Sequence, residues 1–239
     1  MNERLLSLYE DFWPELVLNV NQLDIANTKL QPAHPLLIKV TDQYKEAKIK
    51  VMVVGQETDG WHKSFLGSQA LPSELTELYH HYFVSTSKSK NNRPFWNRAN
   101  FKYFQERLEK SLGKENIGFV WNNLAKIGKN SRGGVTKTIH ELEDTVFNVH
   151  QQELKILKPD VVIFNTGCDR DNILRQRYGV TLSNTEYAKS CRELAQVSFS
   201  ETSSDILSFR TFHPNARTHK KSRKVRNTFI AEQIINKYQ

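Results

Sequence analysis

Four short apolar runs punctuate the chain, and each empties into small polar residues. Ile49-Lys50-Val51-Met52-Val53-Val54 runs into Gly55-Gln56-Glu57, and Ile117-Gly118-Phe119-Val120-Trp121 runs into Asn122-Asn123. Val161-Val162-Ile163-Phe164 ends in Asn165-Thr166-Gly167, and Ile206 to Phe212 ends in His213-Pro214. Near-continuous apolar runs rich in β-branched residues are how strands buried on both faces read. The stretches between them carry helical spacing. Pro72 to Phe83 opens on a proline, a second helix runs to about Leu112, and the closing helix contains Val225, Phe229, Ile230 and Ile234. Thr138 to Leu157 predicts one long helix, with Leu142, Val146, Val149, Leu154 and Leu157 near one face and Pro159 beyond its end. Strands alternating with helices predict an α/β fold: three layers, α/β/α, around a central four-stranded, mostly parallel sheet. Ala195 to Phe199 predicts a further β segment preceding the last strand. In such sheets ligands bind outside the carboxyl ends of the strands, where the four polar termini fall.

The remaining segments fill in around that frame. Leu5, Leu6, Leu8, Tyr9, Phe12 and Trp13 predict an amphipathic helix over 2–13 that meets Pro14, with a second helical piece over 15–23. Residues 27–35 read as a polar, proline-punctuated surface connector. Residues 1–46 are thus an N-terminal helical segment packed on a single domain spanning 1–239. Ser85 to Pro94 is polar and basic with no apolar period. Phe95 to Phe104 then interleaves aromatic and basic residues, a composition that suits base stacking; the helical spacing of Phe101, Phe104 and Leu108 favours a buried stripe instead. The Gly133-Gly134 pair lies in a basic loop without the frame of a P-loop.

Composition narrows the function. Thirty-four Lys and Arg against 26 Asp and Glu give a net charge of +8, with a pI near 9.4, which fits a polyanionic partner. The cluster Arg217, Lys220, Lys221 and Arg223 sits beside the His213-Pro214 turn, at the start of a helix, where cations oppose the helix dipole and a bound anion relieves the cost. Two cysteines, Cys168 and Cys191, exclude a disulfide framework and any four-thiolate metal site. No run approaches the ~20 apolar residues of a membrane span, and the expectation is a cytoplasmic protein.

Taken in order, the motifs Val53-Val54-Gly55-Gln56-Glu57, Phe119-Val120-Trp121-Asn122, Asn165-Thr166-Gly167 and Phe212-His213-Pro214 resemble the uracil-DNA glycosylase superfamily over about residues 49–230. The resemblance implies a monomeric DNA repair hydrolase that flips a base out of DNA, single-stranded or damaged, and cleaves its N-glycosidic bond without metal or cofactor. It implies that Gly55 and Gln56 hold the extruded base through the backbone, that Glu57 orients the attacking water, and that His213 donates to the departing base. It implies that Asn122, or failing that Asn123, reads the edge of the base. Glycosidic cleavage builds positive charge on the sugar and negative charge on the base, so a carboxylate near the first and a donor at the second suit it. An amide suits the base edge because it offers a donor and an acceptor. The chain departs from the superfamily pattern after Glu57, where Thr58-Asp59-Gly60-Trp61 replaces Pro-Tyr-His; Trp61 or Phe65 then supplies the aromatic wall. Arg217, Lys220, Lys221 and Arg223 are the expected grips on flanking phosphates.

Two other function classes remain open on these residues. One is a non-catalytic nucleic-acid-binding relative that keeps the basic face. The other is a metal-dependent nucleotide or phosphoester hydrolase built on Glu57, Asp59 and His213, without HExxH or comparable spacing.

Overall fold

The computed structural model describes residues 1–58, 60–85, 99–187, 190–200, 205–214, 216 and 220–239, without the side chains of 85, 99, 100 and 220–223. In chain order the elements are α1 (Asn2–Asn21), β1 (Pro32–Pro35), α2 (Asp42–Glu46), β2 (Ile49–Gly55), α3 (Pro72–Ser85), α4 (Ala99–Leu112), β3 (Ile117–Asn123) and β4 (Ile127–Lys129). There follow α5 (Lys137–Val146), α6 (His150–Leu157), β5 (Val161–Phe164), a 3-10 turn at Cys168–Arg170, and α7 (Asp171–Tyr178). The chain closes with β6 (Val180–Asn184), β7 (Leu194–Phe199), β8 (Leu207–Thr211) and α8 (Lys220–Tyr238). No described helix is long and apolar enough to cross a membrane.

The fold is α/β, with a six-stranded mixed sheet of order β3-β2-β5-β8-β7-β6. Its first four strands are mutually parallel, and the β6–β7 hairpin adds two antiparallel strands beside β8. The expected four-stranded sheet is therefore too narrow by the hairpin. Strand β6 leaves no signal in the sequence because it buries only Val180 fully and faces largely outward, without a continuous apolar run. Helices cover both faces. On one, α4 and α8 pack together, with Phe101, Phe104 and Leu108 buried as a stripe and Phe209 of β8 meeting Phe229 of α8. On the other lie α6 and α7, Phe164 of β5 meeting Tyr178 of α7 at 5.1 Å, and α1 packs against α3, α5 and α6.

Three local expectations are corrected. Residues 2–21 form one helix through Pro14, because Leu5, Tyr9, Trp13, Leu16 and Val20 make a single buried stripe whose packing outweighs the missing N–H. The connector over 27–35 contains β1, all four of whose residues are buried against β4. Its prolines sit at the ends of the pairing, where an absent donor costs least. The helix expected over 138–157 is two helices broken around Phe147. Thr136 caps α5 by accepting from the Ile139 N–H, and α6 restarts at His150 so that His150 and Glu153 face the interior.

Pro14 is exposed and removes one helical hydrogen bond, so Pro14→Ala is expected to raise stability by about 2 kcal/mol, read as a higher midpoint in urea at unchanged m-value.

Candidate functional site

Parallel pairing brings the carboxyl ends of β2, β3, β5 and β8 to one edge, and the loops leaving them are bonded to one another. The chain after β3 folds back over β2, with Leu124 N–H donating to Gly55 O at 2.9 Å and Ala125 N–H to Gln56 O at 2.8 Å. Gln56 Nε2 donates to Thr166 O at 2.7 Å, and Gly167 N–H donates to Thr211 O at 3.0 Å. Glycine is required at two of these points. A Cβ on Gly55 would lie 2.3 Å from the Trp121 ring and 2.6 Å from Asn123 Oδ1, and Gly167 adopts φ 75°, ψ 162°, open to glycine alone.

Glu57 leaves this edge half-buried and ion-paired. Nη2 of Arg170, from the turn after β5, donates to both of its carboxylate oxygens at 3.2 and 3.1 Å. His213 follows β8 by two residues and is half-buried. A crevice lined by Asn165, Thr211, Phe212, Pro214 and Arg226 adjoins it, with about 20 Å³ of space, roughly one water. Arg226 lies over the Phe212 ring at 5.1 Å.

The two asparagines expected at the base edge go to opposite faces of the sheet, because side chains alternate along a strand. Asn122 is fully buried toward α6. Its Nδ2 donates to Glu153 Oε2 at 2.8 Å, while its Oδ1 accepts from Lys126 Nζ at 2.8 Å and from Asn123 N–H at 2.8 Å. Every polar atom of that side chain is thereby engaged. Asn123 lies on the α4–α8 face beside Gly55, 3% exposed, and its Oδ1 has no hydrogen-bond partner. Trp61 meets Tyr82 edge to face at 5.0 Å, with its buried Nε1 also unpartnered. Phe65 is not at the site. It is 2% exposed and packed between Trp13 and His34, with ring centroids at 5.1 and 5.0 Å, so it belongs to the core under α1. Asp59 and Arg217 lie outside the described residues, as do the side chains of Lys220, Lys221 and Arg223 and the 86–98 segment. Among the described residues no group of three or more His, Cys, Asp or Glu is placed to hold a metal ion.

Behind Asn122 stands a buried ionic network. Lys126 Nζ pairs with Glu153 Oε1 at 2.6 Å, and Tyr9 Oη donates to the same oxygen at 2.6 Å. Glu143 accepts from the Lys126 and Ile127 N–H groups at 2.8 and 3.1 Å and from Arg177 Nη1 at 2.6 Å. Arg177 Nη1 and His150 Nε2 both donate to Leu124 O, at 2.6 and 2.9 Å, and Arg177 Nε donates to Asp144 at 2.8 Å. Lys126, Glu143, Glu153, His150 and Arg177 have no exposed side-chain surface. Burial pushes Glu143 up to about 7 against the pull of Arg177 and the two N–H groups; it pulls Lys126 down against the Glu153 carboxylate. Burial, reinforced by Arg177 and Lys126, holds His150 well below its usual value, so its ring is neutral.

The spacing did carry a trace of this network. Glu153 stands four residues from both Val149 and Leu157, and Glu143 four from Ile139, positions that the apolar period reserves for the core. Arg170 carried no such signal. Comparison with protein-family models and with curated proteins found no match.

Asn122→Ala is expected to cost about 3 kcal/mol in urea unfolding, since it leaves the buried Lys126 ammonium and Glu153 carboxylate each short of one hydrogen bond; Asn123→Ala should stay within about 1 kcal/mol of the parent. His150 makes stability depend on pH. Its folded pKa is depressed, so its contribution is complete above the unfolded value near 6.5 and is lost as pH falls below it. Glu143 acts in the opposite sense, its contribution being lost as pH rises toward about 7. The difference between parent and His150→Gln therefore isolates the histidine, and it should fall as the pH is lowered from 7.5 to 5.

Proposed function

We propose that the chain is a hydrolase of the uracil-DNA glycosylase type, excising uracil or another modified base from DNA after flipping it from the stack. The carrying observation is the Asn123 carboxamide, whose oxygen is buried without a partner beside Gly55, at the edge where the Glu57 and His213 loops also emerge. A buried acceptor left without a partner marks a place for a donor to arrive, and the N–H of a pyrimidine edge is such a donor. The parallel order β3-β2-β5-β8, with all four polar termini on one edge, supports the same reading. In this assignment Asn123 reads the base, because the Asn122 amide is spent on Lys126 and Glu153. Gln56, tethered to Thr166, holds the base through its backbone. The Glu57 carboxylate orients water toward the cationic sugar, and His213 donates to the oxygen that gains charge on the departing base.

One observation favours a second reading, a nucleic-acid-binding relative without turnover: Glu57 meets a guanidinium rather than an open approach for water. Release of free base separates the two. Uracil should be liberated from single-stranded, U·G or U·A oligonucleotides, with Glu57→Gln and His213→Ala each lowering the rate by about 10²–10³ and Asn123→Ala by a comparable factor. Folded protein that releases no base from any of the three substrates, yet binds them, would establish the second reading instead.

A further inference from the structure

The Glu57–Arg170 pair uses its donors unevenly. A guanidinium whose whole task is to neutralise a carboxylate usually meets it fork to fork, with two nitrogens on two oxygens. Here Nη2 alone serves both oxygens of Glu57, and among the described residues Nη1 and Nε meet no hydrogen-bond acceptor. Of five N–H groups three are left over. The side chain keeps 27% of its surface exposed, so those groups face solvent at the rim.

Among the described residues, the neighbouring charges leave the Arg170 guanidinium as a part-exposed cation beside Glu57. Asp171, the next residue, is taken by Arg210, whose Nη2 reaches Oδ2 at 3.0 Å and whose Nε lies 2.9 Å from Oδ1. Asp169 is turned to Cys168, with Sγ to Oδ1 at 3.6 Å. His140, on α5, has its pKa lowered chiefly by burial, with Arg177 and Arg170 adding to the effect, so it presents no competing positive charge at neutral pH. Arg170 also sits three residues beyond Gly167, whose backbone is tied to the end of β8, and so shares the edge with the His213 turn.

We infer that Arg170 is a phosphate-binding residue, holding Glu57 with one nitrogen and a phosphodiester of bound nucleic acid with the others. The planar guanidinium matches a phosphate's oxygens, and weak hydration makes it the preferred cation for that contact. The arrangement answers an electrostatic problem of the site. A carboxylate at the edge repels an incoming polyanion, and a shared cation between the two removes that repulsion without removing the carboxylate. The inference rests on the reading that nucleic acid approaches this edge; it does not require that a base be excised.

The test is the salt dependence of binding to a fluorescein-labelled single-stranded oligodeoxynucleotide, followed by anisotropy. Each phosphate neutralised contributes about 0.7 to the slope of log K against log salt concentration on a single strand. Arg170→Gln should lower the slope by about that amount and weaken binding several-fold at ~0.1 M salt, whereas Arg170→Lys should keep the slope. Glu57→Gln should bind at least as tightly as the parent, because it frees the guanidinium for phosphate. The double variant Glu57→Gln/Arg170→Gln removes both charges together, leaves no stranded carboxylate, and should show the same loss of slope. An unchanged slope and affinity in Arg170→Gln and in the double variant would overturn the inference, as would a parent protein that does not bind the oligonucleotide. Binding that depends on Arg170 with no base released would sustain it while refuting base excision.

Discussion

The ion pair between Lys126 and Glu153 is the constraint on which the candidate site depends. Neither side chain touches solvent, and taking two charges out of water costs several kcal/mol apiece unless every remaining proton and lone pair is satisfied. Asn122 and Tyr9 supply those partners, one from β3 and one from α1, so the pair joins the sheet to the helical layer outside it. Glu143 and Arg177 extend the network to the backbone, binding the N–H groups of Lys126 and Ile127 and the carbonyl of Leu124. The segment from Asn122 to Ile127 is thus held at side chain and main chain together. That segment in turn holds Gly55 and Gln56 through two backbone hydrogen bonds.

This gives β3 two roles separated by the plane of the sheet. Consecutive side chains on a strand point to opposite layers, so Asn122 enters the buried network and Asn123 turns to the α4–α8 face. Gly55, opposite Asn123 in the parallel register, leaves just enough space for the Trp121 ring and the Asn123 oxygen. A one-residue slip of β3 would exchange the two amides and place a hydrogen-bonded side chain where an open acceptor now lies. Register here is a chemical specification as well as a packing one.

Glu57 and Arg170 add a charge pair of a different kind. The buried network is sealed and contributes rigidity, whereas this pair stands partly exposed at the rim with donors to spare. With part of the Arg170 side chain open to solvent, the pair is more open to screening by salt than the sealed network.

The periodic features of the chain were legible from the residues alone. Continuous apolar runs at 49–54, 117–121 and 161–164 identified buried strands, and polar residues marked their carboxyl ends, because both signals are local. The stripe of Phe101, Phe104 and Leu108 was legible for the same reason. The tertiary structure alone decided which asparagine faces the edge, since alternation assigns faces only once the neighbouring layers are in place. It decided that α1 passes through Pro14, that β1 is a buried strand, and that Phe65 belongs to the core. It also decided the partners of Glu57 and Lys126, which lie 113 and 27 residues away along the chain. Spacing put Glu153 on the buried side of its helix but did not name its partner, because the geometry of an ion pair closed across such a distance is set by the packing of whole elements and not by the spacing of residues within one.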